Sequence, residues 1–537
     1  MAYDYSDLVE KTKQWAAQAS ASGWLNSVSA KQLSDFDART PDSLFNHNDA
    51  RPLIVAFMGG TGVGKSTLLN RLAGRAVART GIERPTSHEV TLYHHHSVTI
   101  NNLPDKLPVD RIKIAQHDDE SKKDIIWIDM PDFDSTEQSN KALVLEWLPH
   151  IDVLIYVVSP ERYRDEKAWR LLLSEGGRHA WLFVLNQWDR GQSEQYEDFK
   201  QQLSKASFVE PIIFRTICAE SNQPDEFDAL QNTIASLANA NTVKQLKQRS
   251  LQVRKDELKL QLQQSAQLLG SAKTFQQTPE LWQKQWEQTT SLLQQGFDWP
   301  IKKLATYYAD HAANLTGKAV NNAAEKTELA LWDDWAQARF ADALDQFIHN
   351  TDQLGLPAIP LKKELNAVRE KAPKIVQTQS ELAARLALAN PGNALQRGFL
   401  KLMRVLEFIL PLLSISWVAY QVFVGYYQSN MTDVEYLGID FAVHSSLLVI
   451  ISWLAPWFIQ RQLKPSLEKS VLNGLKKGLD NAISLIDGEV GDAITAISQQ
   501  HSQQIKQVAA IIEQCAVADS QQKRITGDNP LSRMLID

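Results

Sequence analysis

Cysteine is nearly absent from this sequence, since only Cys218 and Cys515 occur among 537 residues. Two distant cysteines cannot build a disulfide framework or a multi-cysteine zinc site, which is typical of a reducing compartment. An excess of positive charge is also missing. The formal net charge is −7, so no global basic field attracts nucleic acid, and no nucleic-acid partner is predicted. The N-terminus has early acidic residues and no apolar h-region, which predicts that no signal peptide is cleaved.

The composition is that of a folded chain with several structural units. Hydrophobic residues make up 44% and charged residues 22%, and the length suggests two to four units. The predicted segments are an N-terminal helical segment (1–50), a nucleotide-binding α/β domain (51–237), a helical bundle or stalk (238–400), an apolar hairpin (401–464), and a C-terminal helix with a short tail (465–537). In the first segment, Leu8, Trp15 and Trp24 among polar neighbours indicate one or two amphipathic helices.

Short apolar runs alternate with helical stretches between residues 51 and 237. The runs are 52–58, 125–129, 152–158, 181–186 and 211–217. The helical stretches begin near Lys65, Asn140, Glu161, Glu194 and Asp225. Strands rich in Val and Ile, each followed by a helix, predict an α/β domain with a mostly parallel sheet and helices on both faces.

Strand patterns are missing from 238–400, where Gln, Ala and Leu dominate. One helical face carries leucines at helical spacing, and prolines divide the region into separate helices. The leucines are Leu251, Leu258, Leu262 and Leu269, and the prolines are Pro300, Pro357 and Pro360. A long apolar stripe in 465–514 needs a partner helix, and the expected partner is 238–400.

Two apolar stretches, 405–427 and 439–459, are each long enough to cross a hydrocarbon layer of about 30 Å. The loop 428–438 between them has acidic residues and no Lys or Arg, whereas Lys and Arg lie outside the stretches. The positive-inside rule therefore predicts a transmembrane hairpin with both termini in the cytoplasm. Two alternatives stay open at this point: a shallow membrane paddle, and a buried helix pair in a soluble bundle.

The most specific motif is GGTGVGKS at 59–66, which directly follows an apolar strand and precedes a helix. Its glycines let backbone amides turn toward phosphates, and the following helix adds its positive N-terminal end. Lys65 would neutralise the terminal phosphates, and the Ser66 hydroxyl would bind Mg²⁺. The predicted phosphate-binding residues are Gly59, Gly60, Thr61, Gly62, Val63, Gly64, Lys65, Ser66 and Thr67.

Later strand ends indicate which nucleotide binds. Asp129 ends the strand 125–129 and can hold Mg²⁺ through water. Asn186 and Asp189, three residues apart, end the strand 181–186, where a carboxylate can accept the ring N–H and the exocyclic amine of guanine. The Ala219 amide is available to the guanine carbonyl oxygen. Their order after a P-loop predicts GTP and GDP as ligands.

In this order and spacing, residues 52–237 resemble the TRAFAC-class GTPases, which include Era-like and dynamin-like proteins. The resemblance covers about a third of the chain. It implies that Asp129 is the aspartate of the DxxG motif, that Asn186 and Asp189 belong to the NKxD motif, and that Cys218 and Ala219 match the family's Ser–Ala pair. It also implies a switch I threonine, for which Thr86 is the choice and Ser87 and Thr91 are alternatives. The implied Mg²⁺ ligands are Ser66, Thr86 and Asp129, and the implied catalytic residues are Lys65, Thr86 and Asp129.

Three positions depart from the family's motifs. Asp132 replaces the glycine of DxxG, so the usual amide contact to the γ-phosphate needs a residue with less backbone freedom. Gln187 replaces the lysine of NKxD, which removes the side chain that normally packs over the P-loop and base. Phe133 stands where many switch GTPases place a water-positioning glutamine. We therefore expect slow intrinsic hydrolysis, assisted by K⁺, by a partner's arginine, or by a second G domain.

The architecture is similar to that of mitofusin-type and bacterial dynamin-like proteins. That resemblance implies a GTPase that tethers or remodels membrane, with a lipid bilayer and a second copy of the chain, bound through the G domain, as partners. The alternative is a membrane-anchored nucleotide-dependent switch or scaffold that recruits a protein partner and hydrolyses weakly or not at all. A bacterial inner membrane is the expected location. His94–His95–His96 is interpreted as a solvated strand end, because adjacent strand residues point to opposite faces and do not converge on a metal.

Overall fold

The computed structural model describes residues 4–45, 51–80, 89–104, 111–132, 138–217, 223–312, 331–429, 438–516 and 530–535. The chain divides into two compact units. One comprises Met1–Gln267 with Gln504–Asp537, and the other comprises Leu268–Gln503. The segment boundaries predicted from composition stay predictions.

A seven-stranded sheet, as far as the described residues show it, forms the centre of the first unit. Its strands are β1 (Leu53–Met58), β2 (Val90–His95), β3 (Ile112–His117), β4 (Ile125–Asp129), β5 (Val153–Val158), β6 (Ala180–Asn186) and β7 (Ile213–Thr216). The spatial order is β3-β2-β4-β1-β5-β6-β7, and every neighbouring pair is parallel except β2 with β4. The predicted mostly parallel sheet is confirmed.

Both faces of the sheet are covered, which explains why its central strands are continuous apolar runs. Along β1, Ile54 and Ala56 lie in one apolar cluster, whereas Val55 and Phe57 lie in the cluster on the other face. The helices that follow strands of the sheet in the sequence are α3 (Lys65–Ala73), α4 (Gln138–Trp147), α5 (Glu166–Glu175), α6 (Ser193–Lys205) and α7 (Phe227–Leu237). A parallel sheet covered in this way places its strand carboxyl ends, and the loops after them, along one edge.

Strands β2 and β3 are not among the apolar runs, because polar residues interrupt them. β3 is an edge strand whose residues are mostly exposed or half-buried. In β2, His94 and His95 are 3% and 1% exposed, so the solvated strand end predicted for the histidines is wrong at these two positions. Both pair with β3, His94 opposite Gln116 and His95 opposite His117. His96, directly after β2, is exposed as predicted.

The first unit also contains helices outside the α/β fold. They are α1 (Tyr5–Ala21), α2 (Ser27–Ser34), α8 (Ala240–Gln267) and the C-terminal end of α14 (Leu467–Ala516). The predicted amphipathic character of the N-terminus is confirmed, since Leu8, Trp15 and Trp24 are buried. The indole of Trp15 donates to Gln504 Oε1 at 2.9 Å, which joins the chain's two ends.

Long helices make up the second unit. They are α9 (Ala272–Asp310), α10 (Asp334–Gln353), α11 (Ala358–Ala389), α12 (Ala394–Ser429), α13 (Ile439–Gln462) and residues 467–503 of α14. The predicted long helical region is confirmed. Trp282 and Trp286 stack with ring centroids 5.2 Å apart in its core. The break predicted at Pro300 is wrong, because Pro300 lies inside α9, where buried neighbours such as Phe297 and Ile301 hold the helix against other helices.

The apolar stripe of α14 packs against helices from 238–400, the region predicted to be its partner. Gly474 and Gly478 approach α11 so closely that an added Cβ would lie 2.7 Å from the Ala387 Cβ and 2.6 Å from the Ala383 Cβ, respectively. Trp282 of α9 donates to Asp487 of α14 at 2.8 Å. Small residues let the backbones of two packed helices approach closely. The apolar stripe of α14 therefore packs against α9 and α11.

Candidate nucleotide-binding site

The P-loop connects the buried β1 to α3, and two of its glycines are required by geometry. Gly64 has φ +91°, and an added Cβ would lie 2.3 Å from Asn186 Nδ2. An added Cβ at Gly59 would lie 2.2 Å from the carbonyl oxygen of Val157 in β5. A side chain at either position would therefore push the loop away from the neighbouring strand ends.

Lys65 is the first residue of α3 and is 4% exposed. Its ammonium group donates to the carbonyl oxygens of Gly59 at 3.0 Å and Gly60 at 3.1 Å, and to Asp132 Oδ1 at 2.5 Å. The lysine is therefore folded back over the P-loop, at the N-terminus of the helix. This is where a phosphate would meet both the helix N-terminus and a cation.

Ser66 and Asp129 lie together, as expected of two ligands to one metal ion. The Ser66 hydroxyl donates to Asp129 Oδ2 at 2.5 Å. Asp129 is 2% exposed, and its Oδ1 has no hydrogen-bond partner among the described residues. Burial raises the pKa of Asp129 to about 6, and the positive charge of Lys65 opposes that shift. A buried carboxylate oxygen without a partner beside a hydroxyl suits a hard cation such as Mg²⁺.

Asn186 links the P-loop to the neighbouring strand end. Its side chain is fully buried, donates to the Val63 carbonyl at 2.8 Å and accepts from the Thr216 hydroxyl at 2.9 Å. Each end of the amide thus has a protein partner. Asp189, in the short 3₁₀ turn Trp188–Arg190, is the more accessible of the two predicted guanine contacts.

Gln187 corrects the expectation that loss of the NKxD lysine removes the side chain over the P-loop. It has φ +61°, and its amide donates to the Gly62 carbonyl at 3.0 Å. The contact with the loop is therefore kept, with an amide donor in place of an ammonium group. The positive charge that a lysine would bring is lost.

Sequence reasoning missed Arg162, which follows the carboxyl end of β5. Its guanidinium donates to the Thr61 carbonyl of the P-loop at 2.8 Å. The signal was available in SPERYR at 159–164, because a basic side chain directly after a central strand lies at the same sheet edge as the P-loop.

Several predicted site residues lie outside the part of the chain that the structure describes. They are Thr86, Ser87, Phe133, Cys218 and Ala219. Thr91, the remaining switch I alternative, is buried in β2 opposite Asp129. The described residues bring together Gly59, Gly64, Lys65, Ser66, Asp129 and Asn186, and Asp189 follows three residues after Asn186. Their roles toward a nucleotide stay predictions.

Comparison with known proteins agrees with this geometry. Residues 54–187 match the model of a family described as 50S ribosome-binding GTPase. An Arabidopsis thaliana protein named "Probable transmembrane GTPase FZO-like, chloroplastic" is 24% identical over 168 residues, which are 29% of this chain and 17% of that protein. This chain thus aligns with about one sixth of that relative's length.

Solved structures give weaker likenesses. A chain of an oligomerised bacterial dynamin pair, described as sensing and tethering membranes, has a TM-score of 0.40 and 13% identity over 91% of both chains. Era bound to MgGDPNP and 16S ribosomal RNA has a TM-score of 0.26 and 20% identity, covering 35% of this chain and 56% of that chain.

The matched segment, 54–187, begins in β1 and ends just after β6, so it contains the P-loop, Asp129 and Asn186. The GTPases of this class use Mg²⁺, which agrees with the contact between Ser66 and Asp129. The motif-based recognition is confirmed: this chain contains a P-loop GTPase domain.

Proposed function

We propose that this chain is a membrane-anchored GTPase that tethers or remodels membrane, hydrolysing GTP slowly unless it is assisted. The observation that carries the proposal is a hairpin of two uncovered apolar helices in a chain that also has a GTPase domain. The FZO-like relative is named a transmembrane GTPase, and its similarity to this chain is limited to 168 residues, 17% of its own length.

The hairpin helices have the length and surface of membrane spans. In α12 and α13 the most apolar stretches have a mean hydropathy of 1.7, and 0% and 6% of them are buried. The 24 residues of α13 extend about 36 Å, against a hydrocarbon layer of about 30 Å. A core helix of a soluble bundle would be covered by its neighbours, so this exposure speaks against that alternative.

The acidic residue Glu407, inside the hairpin, has a partner on the other helix. Glu407 of α12 accepts a hydrogen bond from Gln460 of α13 at 2.8 Å. Pairing between the two helices lowers the cost of placing a carboxyl group at the membrane boundary. The two helices also contact each other along the hairpin. Both termini on the cytoplasmic side, and a bacterial inner membrane, are part of the proposal.

In the GTPase domain, the P-loop amides and Lys65 would bind the phosphates, and Ser66 and Asp129 would hold Mg²⁺. The metal would neutralise charge that develops on the phosphates. Asp189 would accept from guanine, and Asn186 would keep the P-loop beside the base-binding turn. Assistance from K⁺ or from a second copy of the G domain completes the proposal.

The experiment measures the rates at which the full chain hydrolyses GTP and ATP, in detergent and in liposomes, each with Na⁺ or K⁺. We expect preference for GTP, faster turnover in liposomes, and clustering of liposomes that depends on GTP. Asp189→Asn should remove the preference for GTP, whereas Asp198→Asn, on the exposed side of α6, should not. Retention of GTP preference in Asp189→Asn would contradict the assignment of the base contact.

A second function is favoured by one observation, the ion pair that Lys65 makes with Asp132. A lysine already paired with a carboxylate is poorly placed to stabilise phosphate charge, which suits a nucleotide-dependent switch or scaffold with weak hydrolysis. Turnover that is indifferent to lipid, together with a protein partner that binds in only one nucleotide state, would support this function over the first.

A further inference from the structure

Asp132 and Lys65 form an ion pair inside the P-loop. The ammonium and carboxylate are 2.5 Å apart, and their side chains are 3% and 4% exposed. Asp132 lies three residues beyond the strand that carries Asp129, and its Oδ2 has no hydrogen-bond partner among the described residues. The carboxylate is thus held by Lys65 and by no other described side chain.

The hydrogen bonds of Lys65 are fully used. A lysine ammonium group has three N–H donors, and these donate to Gly59, Gly60 and Asp132. A phosphate oxygen can therefore bind Lys65 only if it displaces one of the three acceptors. Gly59 is fixed against β5, because even an added Cβ there would collide with the Val157 carbonyl. Asp132 contributes a side chain, which can leave by rotation.

Charge gives the same result. A carboxylate beside an arriving phosphate repels it, and the repulsion is strong in a site from which water is excluded. A nucleoside triphosphate extends one anionic group further along the P-loop than a diphosphate does. Lys65 would meet the β-phosphate of either nucleotide. The difference lies in the terminal phosphate, because only a triphosphate brings this further anionic group against the Asp132 carboxylate.

We propose that Asp132 determines specificity between nucleotide states: its ion pair with Lys65 weakens the binding of GTP relative to GDP. The inference rests on the proposed function as a GTP-binding protein. Triphosphate binding then requires the segment after β4 to release Lys65, so occupation of the site by GTP is coupled to displacement of Asp132.

The test measures equilibrium binding of GMPPNP and GDP by the full chain in detergent, with Mg²⁺ and with EDTA. The variants are Asp132→Asn, which keeps the shape and removes the charge, and Asp132→Gly, which removes the side chain. Asp198→Asn is the matched control, because it removes a carboxylate that pairs with Arg164 at 2.8 Å on the surface of the same domain.

We expect both Asp132 variants to bind GMPPNP about tenfold more tightly and GDP within about twofold of the wild type. Thermal unfolding gives a second readout. Asp132→Asn should unfold at a lower temperature than the wild type without nucleotide, because Lys65 loses its buried partner. The two should differ less with saturating GMPPNP, since the phosphate then binds Lys65 in both.

Three outcomes would overturn the inference. Equal tightening of GMPPNP and GDP would show that Asp132 does not distinguish the two states. A loss of GMPPNP affinity seen with Mg²⁺ but not with EDTA would show that Asp132 binds the metal ion instead. A wild-type chain that binds neither nucleotide would overturn the proposed function itself, and this inference with it.

Discussion

Replacement of Asn186 by Ala separates a positioning role from base recognition. Asn186 is fully buried and its amide makes two hydrogen bonds, one to the P-loop and one to β7. Asn186→Ala leaves the Val63 carbonyl and the Thr216 hydroxyl without this partner. A buried group that loses its partner costs about 1 to 3 kcal/mol, so we expect the P-loop to be destabilised locally by about 2 to 5 kcal/mol.

The assay is hydrogen–deuterium exchange of the amides in 59–66, measured on the full chain without nucleotide. Because about 1.4 kcal/mol is a factor of ten, exchange should be faster by about 30-fold to a few thousand-fold. Thr216→Val, which removes only the bond at the far end of the amide, should give a smaller increase. Loss of GTP affinity with unchanged exchange in 59–66 would refute the reasoning, because Asn186 would then act on the base alone.

Three further predictions concern pH, a buried ion pair and the hairpin. Burial lowers the pKa of His150 to about 4, so the unfolded chain binds a proton between pH 6.5 and 4 that the folded chain does not. The free energy of unfolding should therefore fall by up to about 3 kcal/mol as pH falls through this range. His150→Gln should flatten the pH dependence of thermal unfolding. An equal dependence on pH in the wild type and the variant would contradict this. Asp152→Asn should destabilise the GTPase domain by about 1.5 to 3 kcal/mol in denaturant titrations, because the almost fully buried Arg51 loses one of its two carboxylate partners and keeps Asp42. A loss below about 1 kcal/mol would show that the pair is unimportant. Ile451→Arg, in the middle of α13, should reduce the fraction of the protein that floats with liposomes, since Arg costs about 2.5 to 3.5 kcal/mol at the centre of a transmembrane helix. Leu260→Arg on α8 should leave that fraction unchanged. Equal flotation of the two variants would contradict a transmembrane hairpin.

Local patterns allowed much of the fold to be predicted. Each of the five apolar runs is a strand, and 125–129 matches β4 residue for residue. The P-loop was predictable because its motif, strand and helix are contiguous in sequence. β2 and β3 were missed because polar residues interrupt both. β3 is an edge strand that buries little, whereas β2 is buried although it carries Thr91, His94 and His95. Helix α5 begins at Glu166, five residues after the predicted start.

The sequence by itself determined the phosphate-binding loop and the two apolar stretches, because each is a contiguous segment of the chain. It also determined the order of the GTPase motifs, because each motif is a short local pattern. The tertiary structure alone decided what those residues contact. Lys65 meets Asp132, which is 67 positions away, and Asn186 meets Val63, which is 123 positions away. These contacts exist because the parallel sheet brings the carboxyl ends of β1, β4 and β6 to one edge. The spacing of residues along the chain does not tell which side chains meet at that edge. The ion pair between Lys65 and Asp132 could therefore be found only from the folded structure.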